Sequence, residues 1–309
     1  AVAAGAAAVK LGKEVIAAYA DYEQLVGGVD TLFKDSSQEI QRYAANAYKT
    51  AGLSANEYME TVTGFSASLI QSLGGDTEKA AKYADMAITD MSDNANKMGT
   101  DMSSIQNAYQ GFAKQNYTML DNLKLGYGGT KQEMERLLAD AEKISGVKYD
   151  ISSYADVVEA IHVMQESMDI AGTTAKEAEA TISGSVNALK SAVSNLIVGF
   201  GDADADMELL CNNMVDAFKT VVANITPVIE NIVAALPTAL DALLTAVGEL
   251  LPTLLEAVTE LFSQVLETLL SLLPQLIPAA VSALMTIVNT LIENLPLLIE
   301  AAVLVGSSI

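Results

Sequence analysis

Apolar residues recur every three or four positions through the first 200 residues, which is the spacing of one face of an α-helix. Between residues 76 and 98, for example, Ala80, Ala84 and Met91 share one side of such a helix, and Asp85 lies on another. No part of the first 220 residues shows the alternating pattern of a strand. The pattern predicts a series of amphipathic helices.

The predicted helices are marked at both ends by residues that favour helix starts and stops. Serine or threonine followed three residues later by glutamate or glutamine matches a capping box, in which the two side chains satisfy free N–H groups of the first turn. Glycine is typical of helix ends, because it enters the left-handed conformation without a steric penalty. The capping-box matches are Ser36 with Glu39, Ser54 with Glu57, Ser103 with Gln106, Thr130 with Glu133 and Thr174 with Glu177, and the glycine stops include Gly27-Gly28, Gly99 and Gly146.

In the C-terminal part of the chain, the dipeptide Leu-Pro recurs within a segment composed mainly of Leu, Ile, Val and Ala. Proline is tolerated in the first turn of a helix, where its missing N–H would be unpaired anyway, so each Leu-Pro is interpreted as a helix start. The last three pairs are 22 residues apart, and 22 helical residues span roughly 33 Å, close to the hydrocarbon thickness of a bilayer. The predicted helix-start prolines are Pro237, Pro252, Pro274 and Pro296.

The first of these 22-residue units is amphipathic, with Glu256, Glu260 and Glu267 on one stripe. The next differs, because residues 268–292 carry no charge. That length suits a membrane span, although two prolines weaken a simple one, and buried helices of a bundle are the alternative interpretation. The residues predicted to insert into a membrane are Leu269, Leu270, Leu272, Leu273, Leu276, Ile277, Val281, Leu284, Ile287, Val288 and Leu291.

No lysine or arginine follows Lys219, so no positive charge orients a span. A permanently membrane-embedded protein is therefore a weaker interpretation than a segment that first lies in a protein environment and later enters a bilayer.

These patterns predict an all-α protein in which a multi-helix antiparallel domain precedes proline-punctuated apolar helices. We expect an Ala-rich helical lead-in over 1–31, a helical core domain over 32–200, an acidic joint with an amphipathic helix over 201–225, and a membrane-competent region over 226–309. Because the chain opens on alanine and ends soon after an apolar run, we also expect it to be an internal fragment of a longer protein.

Charge and composition exclude several kinds of chemistry. A net charge of −22, with all 17 basic residues before position 220, disfavours nucleic-acid binding through phosphate neutralisation. The single cysteine, Cys211, cannot form a disulfide within the chain and is expected to be a small core residue, and His162 is expected to be structural. Asp202, Asp204 and Asp206 have the opening spacing of a calcium loop, but Met207 stands where that loop needs glycine. We therefore expect no cofactor, no metal, no catalytic residues and no enzymatic activity.

One long stretch of the sequence resembles a known family. The run GTDMSSIQNAYQGFAKQNYTMLDNLKLGYGGTK over 99–131, together with NEYMETVTGFSASLIQSLGGDTEKAAKYADMAITDMSDNANKM before it, resembles the tail tape measure proteins of long-tailed phages and prophages of Gram-positive bacteria. The apolar segments LLPTLL, LLPQLIPAAV and NLPLLIEAA resemble the hydrophobic region that follows in that family. The resemblance extends over about residues 20–305. Family members are usually much longer than this chain.

The resemblance implies a structural virion protein that lies in the lumen of the tail tube and sets tail length during assembly. It implies ejection before the genome and assistance to DNA at the host membrane. The expected partners are further copies of the chain, the tail tube protein, tail assembly chaperones, tail-tip proteins and the host membrane, without sequence-specific nucleic-acid binding. An independent membrane-inserting, pore-forming helical protein is the alternative.

Overall fold

The computed structural model describes the backbone of residues 2–306 and the side chains from residue 10 onward, except at 247, 248, 250, 251, 253, 254, 275, 276, 291 and 295–306. The predicted all-α class is confirmed, since the described residues form helices and no strand. The helices are α1 Val2–Phe33, α2 Ser37–Thr50, α3 Ala55–Thr63, α4 Ser66–Ser72, α5 Thr77–Met98, α6 Met102–Phe112, α7 Lys131–Ser145, α8 Tyr154–Ser167, α9 Thr173–Ala180, α10 Ile182–Gly199 and α11 Met207–Gly306, with short 3-10 turns at Lys34–Ser36 and Leu120–Leu123.

The chain divides into two units, Ala1–Glu230 and Asn231–Ile309. The first unit contains a continuous hydrophobic core to which every helix from α1 to α8 contributes. Small residues let α5 lie deep within it, because four of its alanines are fully buried beside larger neighbours. The largest fully buried side chains of the core include Phe33, Ile40, Tyr58, Met59, Leu69, Ile88, Met91, Ile105, Tyr109, Phe112 and Leu120.

Two of the five predicted capping interactions are present. Ser54 and Glu57 form a full capping box at α3, in which the Ser54 N–H donates to Glu57 Oε2 at 2.8 Å and Ser54 Oγ accepts from the Glu57 N–H. Thr130 Oγ1 accepts from the Glu133 N–H at 3.2 Å and so caps α7. Helices α3 and α7 therefore begin where the capping-box pattern indicates.

The other three capping predictions are wrong. Ser36 precedes α2 but its hydroxyl pairs with Thr77 Oγ1 at 3.0 Å, at the start of α5. Ser103 and Thr174 lie inside the first turns of α6 and α9, so neither is at the capping position. In each case a tertiary contact or a two-residue shift of the helix start displaces the local interaction.

The predicted helix stop at Gly27-Gly28 is also wrong, because α1 continues through it to Phe33. A Cβ atom at Gly28 would lie 3.6 Å from the Thr63 side chain. A contact at that distance is ordinary van der Waals packing, and neither glycine has a positive φ, so the pair continues the helix instead of ending it. As a result α1 crosses the predicted boundary between residues 31 and 32.

A buried aspartate supplies the cap that the start of α9 lacks. Gly172, the residue before α9, has a φ of 76° and no side chain with which to cap the helix. Asp93 of α5 accepts hydrogen bonds from the N–H of Gly172 at 2.5 Å and from the N–H of Thr174 at 2.7 Å. Charge-assisted bonds of this kind are stronger than neutral ones. The carboxylate of Asp93 is completely buried and joins α9 to α5.

One turn earlier on α5, Asp90 pairs with the only histidine of the chain. Asp90 is 1% exposed, and its Oδ1 and Oδ2 atoms lie 2.9 and 3.0 Å from His162 Nδ1 on α8. Burial raises the pKa of Asp90 to about 6, and the bond to Asp90 raises the pKa of His162. The far ring nitrogen of His162 lies 3.5 Å from Glu166 Oε1. The histidine therefore has a structural partner in the core.

The loop between α6 and α7 is held by one arginine of α7. The Arg136 guanidinium lies 4.2 Å from the centre of the Tyr127 ring and donates to the carbonyl oxygen of Gly126 at 2.9 Å. Tyr127 in turn donates to Asp140 Oδ2 at 2.9 Å. A Cβ atom at Gly129 would overlap the backbone of Thr118, so only glycine fits that position. These contacts fix a part of the sequence that carries the family resemblance.

Candidate functional site: the apolar helix α11

The helix α11 begins at Met207, within the segment 201–225 for which the sequence predicts an acidic joint and an amphipathic helix. Asp206 Oδ1 accepts from the N–H of Leu209 at 2.9 Å and caps the helix, and Asp202 Oδ1 accepts from the N–H of Asp204 at 3.0 Å. Among the described residues, no group of three or more His, Cys, Asp or Glu side chains could hold a metal ion. Cys211 corrects an expectation, because it is exposed, on the outer face of a helix that is apolar on several sides.

The first turns of α11 pack onto the helical bundle of the first unit. Ala217 and Val221 are each 8% exposed. The Asn224 side-chain amide donates to the carbonyl oxygens of Glu179 and Thr181, at 3.2 and 3.1 Å. These carbonyls lie at the end of α9, so a single side chain holds α11 to that helix end.

Beyond residue 225 the side chains that the structure describes are not packed in this way. From Thr226 to Asn294 every side chain that the structure describes is exposed. Contiguous apolar surface of this extent on a protein indicates contact with a membrane or with another protein. Nine of the eleven residues predicted to insert into a membrane are between 40% and 62% exposed, namely Leu269, Leu270, Leu272, Leu273, Ile277, Val281, Leu284, Ile287 and Val288. The side chains of Leu276 and Leu291 lie outside the described residues.

The four helix-start prolines are a correction, because none of them begins a helix. Pro237, Pro252, Pro274 and Pro296 all lie inside α11, which runs from Met207 to Gly306. An interior proline removes one backbone hydrogen bond and costs roughly 3 kcal/mol. Helix propagation is cooperative, and strong helix formers such as leucine and alanine surround each proline. The predicted boundary at residue 226 is likewise crossed by the helix without a break.

Polar side chains along α11 bond back to the helix that carries them. Beyond residue 240, seven serine and threonine hydroxyls donate to a carbonyl oxygen three or four residues earlier, over distances between 2.6 and 2.9 Å. Such bonds satisfy hydroxyl groups without water, which is the condition that a hydrocarbon environment imposes. The hydroxyls concerned belong to Thr245, Thr259, Ser263, Thr268, Ser271, Thr286 and Thr290.

The glutamate stripe predicted on α11 is exposed and has no cation beside it. Glu256, Glu260 and Glu267 are exposed, and no lysine or arginine follows Lys219 in the sequence. In the first unit, by contrast, surface carboxylates pair with cations one helical turn away, as Glu78 does with Lys82 at 2.8 Å. The glutamates therefore make one face of α11 polar, whereas its other faces are apolar.

Two stretches of α11 are long and apolar enough to cross a bilayer by length and composition. They lie within Met207–Ala246 and at Ile277–Asn294. The second overlaps the uncharged run of residues 268–292 and extends beyond it to include Glu293. The first begins before residue 226, where the membrane-competent region was predicted to start, and Asp241 is the only charged residue between Asn231 and Gly248.

Comparison with known proteins adds no further assignment. No family model, curated protein or solved structure matches this chain. Function must therefore be inferred from the residues and their geometry.

Proposed function

We propose that this chain is part of a phage tail tape measure protein, which templates the assembly of the tail tube and is ejected to assist DNA through the host membrane. The observation that supports the proposal best is α11, a helix of 100 residues whose later part has an exposed apolar surface. A helix converts residues into length at a fixed 1.5 Å per residue, which is what a ruler requires. The partners in this proposal are further copies of the chain, the tail tube protein, tail assembly chaperones and tail-tip proteins.

On ejection, the apolar surface of α11 would move from a protein environment to a membrane environment. In the assembled tail the surface of α11 would be covered by protein, and after release it would enter the host membrane. The internal hydrogen bonds of its threonines and serines suit both environments, because neither supplies water to a buried hydroxyl. The resemblance of residues 20–305 to the tape measure family supports the same reading.

A direct test is to change the length of the helix in the particle that carries this chain. Deleting residues 251–294 removes two units of 22 residues and joins Leu250 to Leu295, so that a Leu-Pro pair follows the junction as before. We expect tails shorter by about 66 Å for the 44 residues removed, measured by electron microscopy. Tails of unchanged length would contradict a ruler role for α11.

An independent pore-forming protein is the second candidate, and the two apolar stretches of α11 favour it as much as they favour ejection. It differs from the first candidate in requiring no tail component. The pore would be favoured if the purified chain alone releases a trapped dye from vesicles and the deletion of residues 251–294 leaves tail length unchanged.

A further inference from the structure

Polar residues recur every 11 positions along α11. Eleven residues make about three turns of an α-helix, so residues at this spacing lie on nearly the same side. We call this series the polar stripe. Its members between residues 238 and 293 are Thr238, Glu249, Glu260, Ser271, Ser282 and Glu293, and all six side chains are exposed.

The opposite side of α11 repeats with the same period and is apolar throughout. Two residues turn an α-helix by about 200°, so the residue two positions after each member of the polar stripe lies on the far side. Each of these residues is leucine or phenylalanine, and we call the series the apolar seam. The members whose side chains the structure describes are Leu240, Phe262, Leu273 and Leu284, which are 44–66% exposed.

Two interior prolines of α11 indicate which side faces water. Pro252 and Pro274 are two 11-residue repeats apart, and each stands three residues after a member of the polar stripe. An interior proline leaves the carbonyl one turn earlier without its helical N–H partner. On the polar side that carbonyl can bind water, whereas inside a packed interface it would be buried and unpaired. The prolines therefore indicate, independently of the glutamates, that the polar stripe faces outward.

The length of the repeat determines how two such helices can pack. An 11-residue repeat corresponds to about 3.67 residues per turn, so on a straight helix with 3.6 residues per turn the seam drifts by about 20° per repeat. Two helices keep such seams in contact by winding around each other with a right-handed twist, whereas a heptad repeat gives a left-handed one. Six heptads counted from Leu240 reach the polar Ser282, but four 11-residue repeats reach Leu284.

The exposed apolar surface is large enough for a stable interface between copies of the chain. The large apolar side chains described between Thr226 and Asn294 are 40–66% exposed. Burying about ten of them on each copy removes roughly 800 Å² per partner, the size of a standard interface. The polar stripes of two copies repel each other, and no lysine or arginine follows Lys219 to pair with them. Copies therefore fit together through their seams.

We propose that copies of this chain associate in parallel through the apolar seam of α11, with a right-handed twist and with the polar stripe on the outside. The parallel direction rests on the proposed tape measure role, in which all copies run the same way along the tube. The choice of the seam does not, because it follows from the 11-residue repeat. Equivalent side chains, such as Phe262 of each copy, then meet at the same level.

Disulfide crosslinking of the purified full chain in detergent-free buffer tests the seam. Cys211, the only cysteine, is first replaced with serine, and one cysteine is then introduced by Leu284→Cys or, as the matched control, by Ser282→Cys. Disulfides form between cysteines whose Cα atoms lie about 4.4–6.8 Å apart. We expect mild oxidation to crosslink the Leu284→Cys chains into dimers, with at least about 10-fold less dimer from Ser282→Cys.

Three results of this experiment would overturn the proposal. Preferential crosslinking of Ser282→Cys would indicate a heptad interface. Equal crosslinking of both variants would indicate contact without a preferred side. No crosslinking of either would exclude a parallel seam, and a membrane, another protein or an antiparallel copy would then be the better occupant of the apolar surface.

Two deletions test the repeat without any cysteine. Removing residues 251–261 takes out one repeat and keeps the two parts of the seam in line, whereas removing residues 251–259 rotates the second part by about half a turn. We expect the shorter deletion to weaken self-association at least about 10-fold more than the longer one, measured by sedimentation equilibrium, because it misaligns the remaining seam. Equal effects of the two deletions would contradict the 11-residue seam.

Failure of the seam and failure of the ruler role are distinguishable. Deleting residues 251–294 removes four repeats and keeps the seam in line. Crosslinking as expected, together with tails of unchanged length after that deletion, would support the seam and contradict the ruler. Shorter tails without crosslinking at Leu284→Cys would support the ruler and overturn the seam.

Discussion

Replacing Val281 and Leu284 with lysine is expected to reduce binding of the full chain to zwitterionic vesicles by at least about 100-fold. Both side chains lie within the stretch Ile277–Asn294 and are 55% and 62% exposed. A lysine at the centre of a membrane-spanning helix is less favourable than valine or leucine by about 3 kcal/mol. Two such changes make membrane insertion of the helix less favourable by about 6 kcal/mol, and snorkelling of the lysine side chains reduces this penalty in part.

The matched control places the same two lysines on the first unit. Ile144 and Val147 are exposed apolar residues at the same spacing, and both lie outside α11. Co-flotation with phosphatidylcholine vesicles measures binding, and the absence of lipid charge removes any attraction of the added lysines to the surface. Binding of Ile144→Lys with Val147→Lys should match that of the parent. Equal binding by all three proteins would mean that residues 277–294 do not enter the bilayer, and a protein core would then be the better interpretation.

Replacing Asp90 with asparagine is expected to flatten the pH dependence of the free energy of unfolding between pH 4 and pH 7. The pKa of Asp90 is raised from 3.8 to about 6, first by burial, so the folded protein holds this proton more tightly than the unfolded chain does. The stability from this group is complete below the unfolded pKa and is lost as the pH rises through the folded pKa. A pKa shift of this size corresponds to a change of about 3 kcal/mol in the free energy of unfolding.

His162 changes stability in the same direction. Its hydrogen bond to Asp90 raises its pKa above the usual 6.5, with further contributions from Glu166 and Glu159. The stabilisation from protonated His162 is therefore present below pH 6.5 and is lost as the pH rises through the folded pKa. Both groups predict that the parent loses stability from pH 4 towards pH 8.

Chemical denaturation across this pH range measures the effect. All 11 tyrosines lie between residues 19 and 154, so the tyrosine band in near-ultraviolet circular dichroism reports the first unit alone. Glu78→Gln, which alters an exposed pair with Lys82, is the control and should keep the slope of the parent. A constant difference in stability between Asp90→Asn and the parent from pH 4 to pH 7 would show that Asp90 does not titrate in this interval.

Local features of the fold could be predicted from the sequence, and contacts between distant residues could not. The caps at Ser54 and Thr130 depend on a residue three positions away, and both were found from that spacing. The cap that Asp93 provides to α9 joins residues 79 and 81 positions apart, and nothing near Gly172 indicates it. The pairing of Asp90 with His162 spans 72 positions and was equally invisible.

The sequence predictions for the prolines and for Cys211 in the candidate site are wrong for a different physical reason. Proline favours the first turn of a helix, but this preference does not exclude the interior of a helix whose sides are exposed, as at Pro252 and Pro274. Cys211 was expected to be buried because its neighbours are apolar. Where a helix is apolar on most sides, sequence alone does not show which side packs, and Cys211 is on the exposed one.

The most direct test of the proposed function separates length from membrane affinity in one particle. Residues 231–294 would be exchanged for the same number of residues of a soluble helical sequence, such as repeats of Glu-Ala-Ala-Ala-Lys, which keep the rise per residue and remove the apolar surface. We expect tails of unchanged length that no longer deliver DNA into the host cell. Tails of altered length, or normal DNA delivery by these particles, would contradict the proposal that α11 is first a ruler and then a membrane-entering segment.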